Sequence, residues 1–165
     1  MIAILDSVLS EEDLRICQRA VVVEQQYTPH SSLDFTVTSY HNFMACLVHS
    51  ESNPVYQKII DSVYVKNLLS TNFSILRAYI NANPAGEFNS GSFHTDEGNI
   101  TILYYPCAWE SAYGGATEFE TGESVEYVAN RAVLFDAKIR HRASEHFNPN
   151  SFRYSIAFKT DAHWA

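Results

Sequence analysis

Residues 116–158, ATEFETGESVEYVANRAVLFDAKIRHRASEHFNPNSFRYSIAF, decide the fold. Ala116–Phe119, Val125–Val128, Ala132–Phe135, His141–Ala143 and Arg153–Phe158 read as short strands, and all but His141–Ala143 carry aromatic and β-branched residues, the kind that pack on a pleated surface. Phe147-Asn148-Pro149-Asn150 is a turn signal between the last two. Strands this short, at these intervals, predict two stacked sheets rather than alternating strands and helices.

Working outward, Gly114-Gly115 marks a turn, Ile100–Tyr105 reads as a strand, Asn81–Gly86 as a loop and Phe73–Ile80 as a further strand. The N-terminal part reads differently. Ser10-Glu11-Glu12-Asp13 resembles a capping box, with acids in a helix's first turn, and Leu14, Ile16, Cys17, Val21 and Val22 follow at roughly helical spacing. Strands are expected near Phe35–Tyr40 and Phe43–His49. A second helix is expected from Pro54 to about Leu69, with Val55, Ile59, Ile60, Val63 and Leu68 as its apolar face. The expected fold is mostly β (α+β): a double-stranded β-helix, or cupin-like jelly roll, over 73–160. A helical support region over 1–72 completes a single domain of 1–165.

Composition narrows the class. The 165 residues suffice for one sizeable core, and an aromatic share of 13% suits a β-rich interior. The formal net charge is −8, which disfavours nucleic acid and anionic membrane surfaces as partners. Cys17, Cys46 and Cys107 form no CxxC pair, arguing against a disulfide framework or a zinc ribbon. Acidic Asp6 follows the first apolar residues too soon for a secretory signal, and no apolar run reaches membrane-spanning length. A soluble, cytoplasmic protein is expected, its oligomeric state left open.

The chemistry is concentrated at His94-Thr95-Asp96, His141 and Arg153. On an extended segment residues i and i+2 face the same way, so His94 and Asp96 together offer two metal ligands. His141 returns later to supply a third. Two imidazoles and a carboxylate on one face of an octahedron suit Fe(II) and leave positions open. Arg153 supplies a counter-charge for a dicarboxylate bound at that metal. Taken singly, each feature has a plainer explanation: HxD as an edge pair, Arg140-His141-Arg142 as a solvated stretch, Arg153 as a surface cation. His30, His41, His49 and His163 have no carboxylate at metal-ligand spacing on an expected strand. His146 competes with His141 for the distal position but precedes the turn signal.

At these residues the sequence resembles the 2-oxoglutarate/Fe(II)-dependent dioxygenase superfamily, and within it the prolyl 4-hydroxylase-like branch. The resemblance spans about Ile75 to Lys159. Leu76-Arg77-Ala78-Tyr79 looks like the strand before the iron motif, and His94-Thr95-Asp96 matches HxD. Thr101–Tyr105 looks like the following strand, and Gly114–Phe119 is similar to the family's GGxTxF segment. Asn130–Asp136 looks like the strand leading to the distal histidine, and Arg153-Tyr154-Ser155 matches the cosubstrate anchor. Two departures stand out. Prolyl 4-hydroxylases proper usually carry lysine where this chain has Arg153, and glycine where it has Asn130, a residue that tolerates left-handed turn geometry.

The resemblance implies a hydroxylase using Fe(II), 2-oxoglutarate and O2, with ascorbate as a candidate reductant. It implies His94, Asp96 and His141 as metal-binding and catalytic residues. Arg153, Ser155, Tyr105 and Tyr79 are the implied cosubstrate contacts, with Tyr104 replacing Tyr105 if the strand register slips by one. Retention of Asp96 favours hydroxylation over halogenation. Tyr79, Asn81, Trp109 and Glu118 are candidates for the mouth, Trp109 alternatively for covering a sheet edge. The expected substrate partner is a peptide or protein residue such as proline. The alternatives are a free amino acid or small metabolite, and a catalytically silent jelly-roll binding module.

Overall fold

The computed structural model describes residues 1–30, 43–47, 53–65, 68–70, 72–86 and 91–165. The strand expected near Phe35–Tyr40 lies outside them. The elements run β1 (Ile2–Leu5), α1 (Glu11–Arg19), a π-helical turn (Ala20–Glu24), β2 (Thr28–His30), β3 (Phe43–Leu47), α2 (Pro54–Val65), β4 (Ile75–Asn83), β5 (Ile100–Tyr105), a 3₁₀ turn (Ser111–Tyr113), β6 (Thr117–Phe119), β7 (Ser124–Val125), β8 (Arg131–Asp136), β9 (His141–Ala143) and β10 (Arg153–Thr160).

Among the described residues the strands form two antiparallel sheets. The larger has the order β1-β8-β5-β10-β4-β3-β2, the smaller β7-β6-β9. Alternation along the central strands feeds two cores. Ile102 and Tyr104 of β5, Ala132 and Leu134 of β8, and Ile156 and Phe158 of β10 face one way. They pack with Cys17 and Val21 of the N-terminal helical segment and with Val55, Ile59 and Val63 of α2. Leu103, Tyr105, Val133, Phe135 and Ala157 face the other way and meet Phe119 and Val125 of the smaller sheet. The larger sheet is therefore a middle layer, with helices on one face and the smaller sheet on the other. Burying each large apolar side chain stabilises this arrangement by about 1.5–3 kcal/mol.

The capping reading of Ser10 is realised: its Oγ accepts from Asp13 N at 3.1 Å, and Lys58 of α2 ion-pairs with Asp13 at 2.5 Å, tying the two helices together. Other boundaries differ from expectation. β4 continues through Asn81–Asn83, expected as loop, because these residues pair with Ser155, Tyr154 and Arg153 of β10. Cross-strand pairing overrides the turn preference of asparagine. α2 is described over Pro54–Val65, residues 66–67 of the expected helix lie outside the described residues, and Leu69 forms an isolated bridge with Trp164. β7 is confined to Ser124–Val125. β1 has no counterpart in the expectation; it is an edge strand paired with β8, Ile2 opposite Phe135. Among the described residues no helix is long and apolar enough to cross a membrane.

Candidate metal centre

The cleft between the two sheets is lined from the larger sheet by Tyr79, Asn81 and Asn83 (β4), Thr101 and Leu103 (β5), and Arg153, Ser155, Ala157 and Lys159 (β10). Thr117, His141, Arg142 and Ala143 line it from the smaller sheet. His94 stands at its edge. The His94 segment is not a regular strand; it joins the smaller sheet through an isolated antiparallel bridge, His94 N–H to His141 O at 3.0 Å and His141 N–H to His94 O at 2.9 Å. The Asp96 amide donates to Ala137 O at 2.8 Å. Gly98 (φ +78°) lets the loop continue against β10, since a Cβ there would lie 2.2 Å from Thr160 O.

The ligand atoms of His94, Asp96 and His141 all lie within 4.8 Å of one another. Each histidine donates Nδ1–H to a backbone carbonyl, His94 to Ser92 O and His141 to Ile139 O, both at 2.9 Å, because a carbonyl can only accept. In the neutral rings both Nε2 atoms therefore carry lone pairs. The His141 Nε2 faces Asp96 Oδ2 at 3.3 Å, and the His94 Nε2 lies 3.9 Å from Oδ1. Lone pairs facing a carboxylate repel unless a proton or cation lies between them, so the donor set fits a metal ion. The backbone acceptors fix the tautomers as outer partners of ligating histidines do.

Electrostatics agree with this assignment. Burial, then the neighbouring His141, hold His94 below the usual histidine value, favouring its neutral, ligating form. Burial opposes ionisation of Asp96, but a hydrogen bond from His141, when a proton stands between Nε2 and Oδ2, and the charge of Lys159 outweigh this and keep the carboxyl well below the usual range. Asp96 Oδ2 accepts from Thr101 Oγ1 at 2.6 Å and from Lys159 Nζ, whereas Oδ1 has no hydrogen-bond donor among the described residues.

Arg153 is 2% exposed, and no carboxylate pairs with it among the described residues. Its Nε donates to Gly115 O at 2.6 Å and its Nη2 to Thr117 Oγ1 at 3.0 Å. Its guanidinium lies 5.4 and 5.5 Å from the ring centroids of Tyr105 and Tyr127. Gly115 (φ +79°) permits this approach: a Cβ there would meet His146 Cβ and the Trp109 ring at 3.2 Å and Arg153 Cδ at 3.3 Å. A buried guanidinium with N–H groups to spare, and no counter-ion among the described residues, is suited to receive an anion.

The remaining residues expected at the site separate into groups. Tyr79 and Asn81 line the cleft, and Asn81 Oδ1 is buried without a hydrogen-bond partner among the described residues. Ser155 lies opposite Asn81 on the same face. Tyr105 sits behind Arg153, its hydroxyl 2.6 Å from Thr117 Oγ1. Tyr104 faces the helical layer and donates to Asn130 Oδ1. Glu118 pairs with Arg142 at 2.8 Å. Trp109 does not line the cleft; it donates to Gly114 O and packs on Tyr127 and His146, buttressing the Gly114-Gly115 turn. His146 is outside the metal cluster and is nearly fully buried, its Nε2–H donating to Asn83 O. Lys159, Thr101 and Thr117 were not anticipated. The available signal is parity: Lys159 shares a strand face with Arg153 and Ser155, and Thr101 shares one with Leu103 and Tyr105.

No protein-family model and no curated protein matches the chain. Solved structures do. A viral collagen prolyl hydroxylase from Paramecium Bursaria Chlorella virus-1, complexed with 2-oxoglutarate, superposes with a TM-score of 0.69 at 12% identity, covering 96% of this chain and 94% of that one. The fold is thus one shared with 2-oxoglutarate/Fe(II) oxygenases. Prolyl hydroxylases recur among the similar structures: one from Trichoplax adhaerens, holding a hypoxia inducible factor peptide fragment, has a TM-score of 0.67 at 14% identity, with 99% and 82% covered. HygX from Streptomyces hygroscopicus, with nickel and 2-oxoglutarate, has a TM-score of 0.66 at 10% identity, with 96% and 82% covered.

Proposed function

We propose that this chain is an Fe(II)- and 2-oxoglutarate-dependent dioxygenase that hydroxylates a substrate C–H bond, its two sheets being the halves of a double-stranded β-helix. The carrying observation is one cleft lined by His94, His141 and Arg153, where the histidine ligand atoms converge with those of Asp96 and the buried arginine has no counter-ion among the described residues. Separately, these features have structural explanations. Together they match a metal-chelating dicarboxylate.

His94 and His141 would hold the metal through Nε2 and Asp96 through Oδ1, Oδ2 being kept back by Thr101. When bound, iron and 2-oxoglutarate supply oxidative decarboxylation to succinate and CO2, coupled to transfer of one oxygen atom of O2 to the substrate. Arg153 would take the distal carboxylate with the N–H groups that Gly115 and Thr117 leave uncommitted. Tyr105 braces Thr117 and so holds the guanidinium in place; Ser155 and Tyr79, which line the same cleft, would flank the ligand.

For the substrate we infer a peptide or protein residue such as proline, as in the Trichoplax complex. A small-molecule substrate is the second reading. A HygX structure holding hygromycin B superposes equally well, at a TM-score of 0.66, and the cleft rim offers Arg142, stacked 4.5 Å over Phe93, as a polar contact for either. The test is anaerobic: Fe(II) and then 2-oxoglutarate are added to metal-free protein. A weak visible charge-transfer band, lost in His94→Ala, is expected. Folded protein that never develops the band under saturating ligand sinks the oxygenase assignment in favour of a silent binding module. Succinate release with prolyl peptides against small hydroxylatable acids then separates the substrate classes.

A further inference from the structure

Lys159 has no part in the chemistry just described, yet it lines the same cleft. It occupies the face of β10 that carries Arg153, Ser155 and Ala157, and it is 2% exposed. Its ammonium contacts Asp96 Oδ2 and lies 5.1 Å from the ring centroid of Tyr79. Among the described residues Asp96 is its only ion-pair or hydrogen-bond partner. Asp96 is also the only carboxylate in the three-donor set. One small carboxylate thus faces two claims: a lysine already in contact with it, and the metal that the histidine lone pairs await. An ammonium and a divalent cation on the same carboxylate lie within a few ångströms of each other, where their repulsion is large.

We propose that Lys159 is the resident counter-ion of Asp96 in the metal-free protein, and that metal binds in competition with it. This rests on the metal assignment above. Lys159 is a positioning residue that acts through Asp96. Before metal arrives it keeps a buried carboxylate paired, which an isolated charge in this layer would need. Once metal takes Asp96, the ammonium weakens the hold of the three donors, so metal affinity is set below what they would otherwise give.

The contrary role is that of an orienting partner, whose loss typically costs 10–100-fold in metal affinity. The two roles differ in sign. Thr101 separately holds Oδ2 at 2.6 Å, so the carboxylate retains an orienting donor when Lys159 is replaced. The experiment titrates Mn(II) into metal-free wild type, Lys159→Met, Lys159→Gln and Lys159→Arg without cosubstrate. Free Mn(II) is followed by electron paramagnetic resonance, and thermal unfolding is recorded with and without the ion.

Lys159→Met and Lys159→Gln are expected to bind Mn(II) at least about tenfold more tightly than wild type, because the competing charge is gone. Lys159→Arg, which keeps the charge, should stay near wild type. Metal-free Lys159→Met should unfold at a lower temperature than wild type and gain more from Mn(II). If the Met variant fails to fold, the Gln variant, which can still donate to Oδ2, carries the comparison. Unchanged or weaker Mn(II) binding in the neutral variants overturns the proposal. Failure of wild type and neutral variants alike to bind Mn(II) removes the metal centre itself, and this competition with it.

Discussion

Substituting Gly115 with alanine tests whether the Gly114-Gly115 turn is the mould for the arginine anchor. Two costs are involved. The first is backbone strain: φ is +79°, and the left-handed region costs a non-glycine residue about 1–2 kcal/mol. The second is crowding, because the new methyl meets His146 Cβ and Trp109 at 3.2 Å and Arg153 Cδ at 3.3 Å. Overpacking of a closed interior adds about 1–3 kcal/mol. Gly122 is the control. It also has a positive φ, +100°, but a Cβ there meets nothing within 4 Å, so Gly122→Ala carries strain alone. Denaturant unfolding should therefore show a loss of about 1–2 kcal/mol for Gly122→Ala and about 2–5 kcal/mol for Gly115→Ala. The crowding also pushes on the Arg153 side chain. Calorimetric titration of 2-oxoglutarate into Mn(II)-loaded protein should show roughly tenfold weaker binding for Gly115→Ala, about 1.4 kcal/mol, and none of that loss for Gly122→Ala. Equal destabilisation by the two substitutions, with 2-oxoglutarate binding intact in both, would refute the argument that this turn shapes the anchor.

Arg153→Ala should weaken 2-oxoglutarate binding about 10–100-fold while leaving Mn(II) affinity without cosubstrate close to wild type, both read by calorimetry; the loss is that of one or more charge-assisted hydrogen bonds. Asn130→Gly keeps a backbone already at φ 63° but removes the side chain's bonds to Leu9 N, Leu9 O and the Tyr104 hydroxyl. It should cost about 3 kcal/mol in denaturant unfolding, at about 1 kcal/mol per bond; a neutral result would show these bonds contribute nothing net. Because the folded-state pKa of Asp96 lies below its unfolded value, its contribution to metal-free stability is present above about pH 4 and is lost as pH falls from there toward the folded value. Asp96→Asn should accordingly flatten the acid limb of stability against pH by up to about 1.4 kcal/mol per pH unit, and an unaltered acid limb would contradict the pairing.

How far the sequence could be read depended on whether a signal was local. The strands at Ile100–Tyr105, Arg131–Asp136 and Arg153–Thr160 are apolar runs between turn residues, and such runs declare themselves. The order HxD, histidine, arginine points to one site, and the structure brings His94, His141 and Arg153 to one cleft with Asp96 against the two histidines. β1 was invisible because four residues carry almost no periodicity; Ile2–Leu5 is a strand only because β8 offers an edge. The asparagines of β4 look like loop residues until Arg153–Ser155 are laid beside them. Lys159 was passed over because a lysine near a strand's end is ordinarily a solvated residue. The glycine-like position of Asn130 looked like simple tolerance of a left-handed turn, whereas its side chain also fastens Leu9 to Tyr104. The common cause of these misses is that each role belongs to a partner distant in sequence.

The bridge between His94 and His141 has a further thermodynamic meaning. The two histidines are far apart along the chain, and an ion gathering them from a floppy precursor would have to close a long loop. Closure on this scale costs about 3 kcal/mol of chain entropy. Here the peptide groups of the same two residues already exchange both hydrogen bonds, so that cost belongs to folding and not to metal uptake. The site is preorganised by its backbone. Metal-free protein should therefore stay folded with its pair of histidines still set, able to be filled and emptied without remaking the sheets around them.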